Sequence, residues 1–390
     1  MKILLASTAE SAIPKHLQVA RSRHRRVPDD YRPPYPSFVA RHKPEIGRVV
    51  TAYFGVQHRS MPSESVTAAL AQLAERFDGS NGPPHWDRAQ YIDQAGFTNV
   101  VSVAYWDDVR RFDAWFTPAR EDWTGEGRAG SGPGFFVEVL RPSIDRYETL
   151  FSSLDRPEGI AVLAEGMGEV QEHAYWGSMR DRIPLSQTSA MDPGGAPGFT
   201  RDGARIRVIA HDNLCLIRSG QDWSDTEESE RKMYLHDVEP VLREGMDFLR
   251  DEGLGIGCYA NRYMRVLRRD GSVSEKSYGQ SWWKSLAALE RWAESHPTHV
   301  GIFGAAMRYL SKLGPAAKLR LYHEVTVAAA GEQFFEYLDC HPQTGMLAAV
   351  NIAGHKSAGL LKRRSGLTQH SKGRQYEYGP PESGDYRRRR

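Results

Sequence analysis

Mostly apolar, strand-like runs at residues 49–56, 99–105, 206–210 and 214–218, and alternating apolar and polar positions at 320–328, predict strands there. A second pattern has helical spacing. Trp106, Val109, Phe112 and Trp115 fall three residues apart, and Trp283, Leu286, Leu289 and Trp292 repeat the pattern 177 positions later. Each set predicts a short helix with one broad apolar face, following a strand-like run. A longer helix is expected from about residue 225 to 250, with Ser224 and Glu227 as its capping box and Pro240 as a break or kink.

Strand, helix and strand alternating twice predicts an α+β fold of two fused ferredoxin-like halves, about 40–200 and 205–354. Their antiparallel sheets would face each other across one core, as in a dimeric α+β barrel, and residues 1–354 would form a single domain. Residues 26–37 contain four prolines and should be extended, long enough to wrap a neighbouring subunit. Residues 117–134 and 186–204 are rich in Gly, Pro and polar side chains and read as loops, either surface connections or the border of an entrance.

Charge separates the end of the chain from the rest. Residues 355–390 hold ten Lys/Arg and three Asp/Glu, a local +7 in a chain whose net charge is +2. This segment reads as a basic, disordered, solvated tail rather than a nucleic-acid or membrane-surface contact. No run approaches the roughly 20 apolar residues of a membrane helix, and the start lacks a secretory pattern, so a cytoplasmic enzyme is expected. Three widely spaced cysteines, Cys215, Cys258 and Cys340, do not suggest a disulfide framework, and Cys-x-x-Cys-His is absent.

The candidate chemistry lies in two histidine segments. His296 and His299 follow the second Trp-containing helix, and His323 shares one face of the last predicted strand with Leu319 and Leu321. One imidazole could ligate a metal while another faces its open side, an arrangement suited to haem iron. Zinc fits less well, because His-Glu-x-x-His is missing and no third ligand lies at a familiar spacing. His299, whose backbone Pro297 should fix, is the candidate ligand, and His296 in the same motif is its rival. Ser219 reads as a turn serine before Gly220, or as a hydroxyl in a pocket; no Gly-x-Ser-x-Gly surrounds it. Glu148, Arg180 and Arg182, taken singly, read as surface charges.

Several motifs in one order change this picture. WAESHPTHV from Trp292, LRLYHEV from Leu319, and Ile217 to Trp223 together resemble the aldoxime dehydratases, haem b enzymes that convert aldoximes to nitriles. YWGSMR from Tyr175, GMDFLR from Gly245, and Cys340-His341-Pro342 extend the likeness from about Ser11 to about Ala353. The resemblance implies that His299 is the axial ligand of haem b, ferrous in the active form. It also implies His323 as the distal acid–base, Ser219 as holder of the oxime hydroxyl, and Arg182 and Glu148 as their partners. Arg182 is favoured over Arg180. Position 122, which corresponds to 299 in the first repeat, is aspartate, so one haem per chain, in the C-terminal half, is expected. A homodimer acting on a small aldoxime is implied, alkyl or arylalkyl. Alternatives on a related scaffold are a peroxidase or chlorite-dismutase-like enzyme, or a haem carrier or sensor.

Overall fold

The computed structural model describes residues 9–59 and 62–350. In chain order the first half runs β1 (Phe38–Arg41), β2 (Val50–His58), α1 (Glu64–Phe77), β3 (His85–Ile92), β4 (Thr98–Trp106), α2 (Val109–Thr124) and β5 (Gly134–Leu140). It is followed by β6 (Tyr147–Phe151), β7 (Gly166–Glu169), α3 (Ser178–Arg182), β8 (Gly198–Asp202) and β9 (Arg205–Ile209). The second half runs β10 (Leu214–Asp222), α4 (Glu228–Met233), α5 (Glu239–Asp251), β11 (Cys258–Leu267) and β12 (Val273–Trp283). It ends with α6 (Leu286–Ser295), α7 (Pro297–Leu313), β13 (Arg320–Ala328) and β14 (Gln333–Leu338).

The fourteen strands form one sheet in the order β7-β1-β6-β13-β10-β12-β11-β3-β4-β2-β5-β14-β9-β8. Within it, β3-β4-β2-β5 and β11-β12-β10-β13 have the same internal order, and each set carries helices after its first and third strands. The inner faces of the two sets share a core, in which Tyr53 of β2 meets Trp282 of β12 with ring centroids 6.3 Å apart. Helices α1 and α2 cover the outer face of the first set around Phe54, Trp106 and Trp115. Helices α5 and α6 cover the outer face of the second, around Met246, Leu289, Trp292 and Val325. The two tryptophan patterns therefore sit alike: Trp106 and Trp283 each end a strand, and each ring lies 5.1 or 5.6 Å from the helical Trp115 or Trp292.

The predicted strands all form, some longer than expected. The largest difference is β10, which continues through Ser219 and Gly220 to Asp222 because both its edges are paired, with β12 and β13. Gly220 serves close packing rather than a turn: a Cβ there would lie 2.1 Å from the Tyr322 ring. The expected 225–250 helix starts later, at Glu228, and Ser224 is not its cap. Its hydroxyl instead donates to Asp222 at 2.6 Å. Pro240 does interrupt it, since a π-helical turn over Tyr234–Val238 separates α4 from α5. Two loop expectations are corrected. Residues 117–124 extend α2, whose Trp115 and Trp123 are buried despite the polar surroundings. Residues 198–202 form β8, paired to β9. Residues 26–37 contain no helix or strand and lie on this chain's own surface, where Tyr31 donates to the His173 carbonyl at 2.8 Å. The basic tail lies outside the described residues.

Candidate active site

The face of β10, β13 and β6 that points toward the helices carries the polar cluster. Ser219 and His323 are direct cross-strand partners, and Glu148 of β6 pairs with Val325, two residues along from His323 on the same face. The sheet register alone therefore places Ser219, His323 and Glu148 side by side. On the next strand, Gly279 stands opposite Ser219, and a Cβ there would press on Met246 Sδ at 2.7 Å.

Arg182, at the end of α3, completes the cluster. Its Nε donates to Glu148 Oε2 at 2.7 Å, its Nη1 to the Glu172 carbonyl at 2.8 Å, and its Nη2 lies 2.9 Å from His323 Nε2. The same His323 nitrogen is 3.0 Å from Glu148 Oε1. A single imidazole nitrogen thus faces both a donor and an acceptor. Unprotonated, it accepts from Arg182; protonated, it donates to Glu148. The ring is held in either state. Arg180 points elsewhere, to Glu290 of α6 at 2.6 Å and the Ala190 carbonyl at 2.6 Å.

Burial by itself would raise the Glu148 carboxyl. The Arg182 guanidinium and then the His323 ring outweigh it and hold the carboxyl below the ordinary 4.5. Its ionised form is thus favoured in the folded protein. The stability this contributes is fully present above pH 4.5 and is lost as pH falls through the depressed value. Glu148→Gln should therefore be less stable than the wild type at neutral pH by about 3–5 kcal/mol, since it strands the buried Arg182 charge. Denaturant unfolding at pH 7 and in acid checks this, and the gap should narrow on acidification.

His299 is reached from the helix side. The sequence between the two helices breaks at Pro297, which occupies the first turn of α7, while His296 caps that helix by accepting from Thr298 N at 3.4 Å. His296 is further occupied by stacking on Phe248 at 4.3 Å between centroids. His299, one turn in, is different. Its Nδ1 must be the protonated nitrogen, because it contacts the Ala293 carbonyl at 2.7 Å. That leaves Nε2 with a free lone pair. Desolvation lowers the imidazole pKa, which favours the neutral, ligating form. Trp292 packs edge-on at 4.6 Å and Trp176 at 6.2 Å.

Along α7 from His299, apolar side chains are left uncovered. Val300, Phe303 and Met307 of α7, with Trp176, are 39–48% exposed, and Trp176 and Phe303 lie 5.7 Å apart. A neutral imidazole with an anchored ring and a free lone pair, edged by uncovered apolar side chains, suits a flat apolar group carrying a metal. Among the described residues no three His, Cys, Asp or Glu side chains converge as a metal cage. The segment 176–182 links the two histidines: Trp176 touches His299 and Arg182 touches His323. Asp122, the counterpart of His299 in the first repeat, is on α2 and pairs with Arg76 at the surface.

The structure brings together Glu148, Arg182, Ser219 and His323, and sets His299 on a separate helix. What the sequence reading lacked was the backbone support: Glu172, Trp176 and Gly279. Trp176 was legible as part of a motif, but its position beside His299 depends on the left-handed Gly177 that turns the chain into α3.

A family model described as haem-containing dehydratase matches residues 52–346. An aliphatic aldoxime dehydratase of Pseudomonas chlororaphis is 44% identical over 352 residues, covering 88% of this chain and 99% of that protein. Another, from Rhodococcus erythropolis, is 45% identical over 355 residues, covering 89% of this chain and 100% of the relative. A phenylacetaldoxime dehydratase of Bacillus sp. (strain OxB-1) is 32% identical over 335 residues, covering 84% and 95%. Among solved structures, a crystal structure of aldoxime dehydratase superposes with a TM-score of 0.84 at 43% identity, covering 88% of this chain and 99% of that one. An aldoxime dehydratase co-crystallised with butyraldoxime also gives 0.84, at 44% identity, covering 88% and 97%.

Proposed function

Since the chain belongs to the haem-containing dehydratase family, we propose that it dehydrates aldoximes to nitriles and water at the face carrying Ser219 and His323. The observation that carries this reading is the contact of His323 Nε2 with both Arg182 and Glu148, beside Ser219. That contact holds the ring by Nε2 and leaves Nδ1 to give a proton and take one back.

His299, through Nε2, is assigned to hold haem b, with Trp176, Val300, Phe303 and Met307 against its apolar surface. When bound, that group would supply an iron able to draw electron density from the oxime nitrogen and weaken the N–O bond.

The residues of the chain do the rest. Ser219 holds the oxime hydroxyl. His323 begins as imidazolium, its Nε2 proton donated to Glu148, whose charge Arg182 maintains. Because Nε2 is engaged, Nδ1 is the working nitrogen. It protonates the departing hydroxyl as the N–O bond breaks, so water leaves. The neutral Nδ1 then takes the proton from the oxime carbon, and the C–H electrons complete the carbon–nitrogen triple bond. The imidazolium is restored, so no net proton is consumed.

Haem-loaded, reduced protein mixed anaerobically with a panel of alkyl and arylalkyl aldoximes should yield the matching nitriles. No nitrile from any of them would contradict the assignment. The same assay on oxidised protein should give little product, because the harder ferric ion favours the oxime oxygen.

The matching strand order of the two four-stranded sets, and the like placement of Trp106 and Trp283, support reading them as two ferredoxin-like pseudo-repeats. The chain is further assigned to the cytoplasm and to a homodimer, so light scattering should return about twice 43.9 kDa. Among the described residues no helix is long and apolar enough to cross a membrane.

A further inference from the structure

The strand residues next to Ser219 and His323 point the other way, into the core. Arg218 precedes Ser219, Glu324 follows His323, and the two are themselves cross-strand partners. Both are buried, Arg218 almost completely at 1% exposure. Their partners come from the other half of the chain. The Tyr105 hydroxyl, on β4, accepts from Arg218 and donates to Glu324 Oε1 at 2.9 Å. Asp87, on β3, accepts from Arg218 Nη2 at 2.7 Å. The backbone NH of Ile160 donates to Glu324 Oε2 at 3.1 Å, and Gly159 at φ +59° lets the chain lie against that carboxylate.

We infer that Tyr105 is a positioning residue for the dehydration site: one hydroxyl, contributed by the half without a haem ligand, ties together the two strands that carry Ser219 and His323. Neighbouring strand residues share a rigid backbone, so a shift of Arg218 or Glu324 moves Ser219 or His323 with it. Misplacing such groups is costly out of proportion to the distance moved. Burial pushes the Glu324 carboxyl above its ordinary range, so a neutral amide is a fair replacement for it. This inference rests on the roles assigned above to Ser219 and His323.

The test compares Tyr105→Phe with Tyr53→Phe in haem-loaded protein. Tyr53 lies in the same core, fully buried, and its hydroxyl makes no hydrogen bond among the described residues, so it controls for loss of a buried oxygen. Tyr105→Phe should keep its haem and its KM but lose kcat by about tenfold. The C–O stretch of its ferrous carbonyl complex, which senses the hydrogen-bond field on the open side, should shift. Tyr53→Phe should match the wild type in all of these. Glu324→Gln, which still accepts from Tyr105, should retain most of kcat, whereas Glu324→Leu should behave like Tyr105→Phe. This second pair decides the matter if Tyr105→Phe does not fold. Wild-type kcat and an unmoved C–O stretch in Tyr105→Phe, or wild-type behaviour of Glu324→Leu, would overturn the inference. An inactive wild type would instead overturn the functional reading beneath it.

Discussion

Replacing His323 with alanine should abolish nitrile formation while leaving the haem in place. The expected loss in kcat is about 10²–10⁴-fold, the range for removing one general acid–base group. The loss should fall at the upper end, because in the proposed mechanism His323 serves twice, as acid toward the hydroxyl and as base toward carbon. Its surroundings support this assignment. Arg182 and Glu148 are a buried ion pair, each side chain 1% exposed, and both touch one nitrogen of His323. A histidine with only a structural role would not need both a donor and an acceptor at a single atom. The variant should still bind aldoxime when reduced, seen as a shift of the Soret band that persists instead of decaying. Glu148→Gln should fall between the wild type and His323→Ala, since it removes the carboxylate that accepts from the ring but leaves the ring itself. Normal turnover by His323→Ala would remove the mechanism.

Replacing His299 with alanine should have the other large effect, on retention of the cofactor rather than on the chemistry. Haem content per purified chain, measured after conversion to the pyridine complex, should fall to a small fraction of wild type. The fold should survive. His299 sits in the first turn of α7, and its ring's bond, Nδ1 to the Ala293 carbonyl, joins α7 to the end of α6 without holding the sheet together. Exogenous imidazole should restore part of the haem binding by filling the space beneath the iron. His296→Ala should keep its haem and lose some thermal stability instead, as expected for a helix cap, where the cost is about 1 kcal/mol.

The sequence showed the chemistry more clearly than the architecture. His323 lay in a strand whose alternation was plain, and its partnership with Ser219 follows once β10 and β13 are paired. What concealed Ser219 was Gly220, which suggests a turn in sequence but in the structure makes room for the Tyr322 ring within a continuous strand. Helix α7 was also hidden. Its apolar side chains do not make one buried stripe, since Val300, Phe303 and Met307 remain uncovered beside His299. Strands such as β5, buried along its whole length, and β11 lack a clean alternation because both faces are occupied. The buried Arg218–Tyr105–Glu324 group could not be read at all. Its members lie on strands from different halves, 113 positions apart in the case of Arg218 and Tyr105, and each looks like an ordinary strand residue by itself.

The most direct measurement is a hemin titration of haem-free protein, followed at the Soret band, for the wild type and His299→Ala in parallel. The wild type should take up one equivalent per chain with a sharp end point, and the variant should not saturate. A wild type that stays colourless, or a variant that titrates identically, would contradict the assignment of His299 as the single residue that holds the iron.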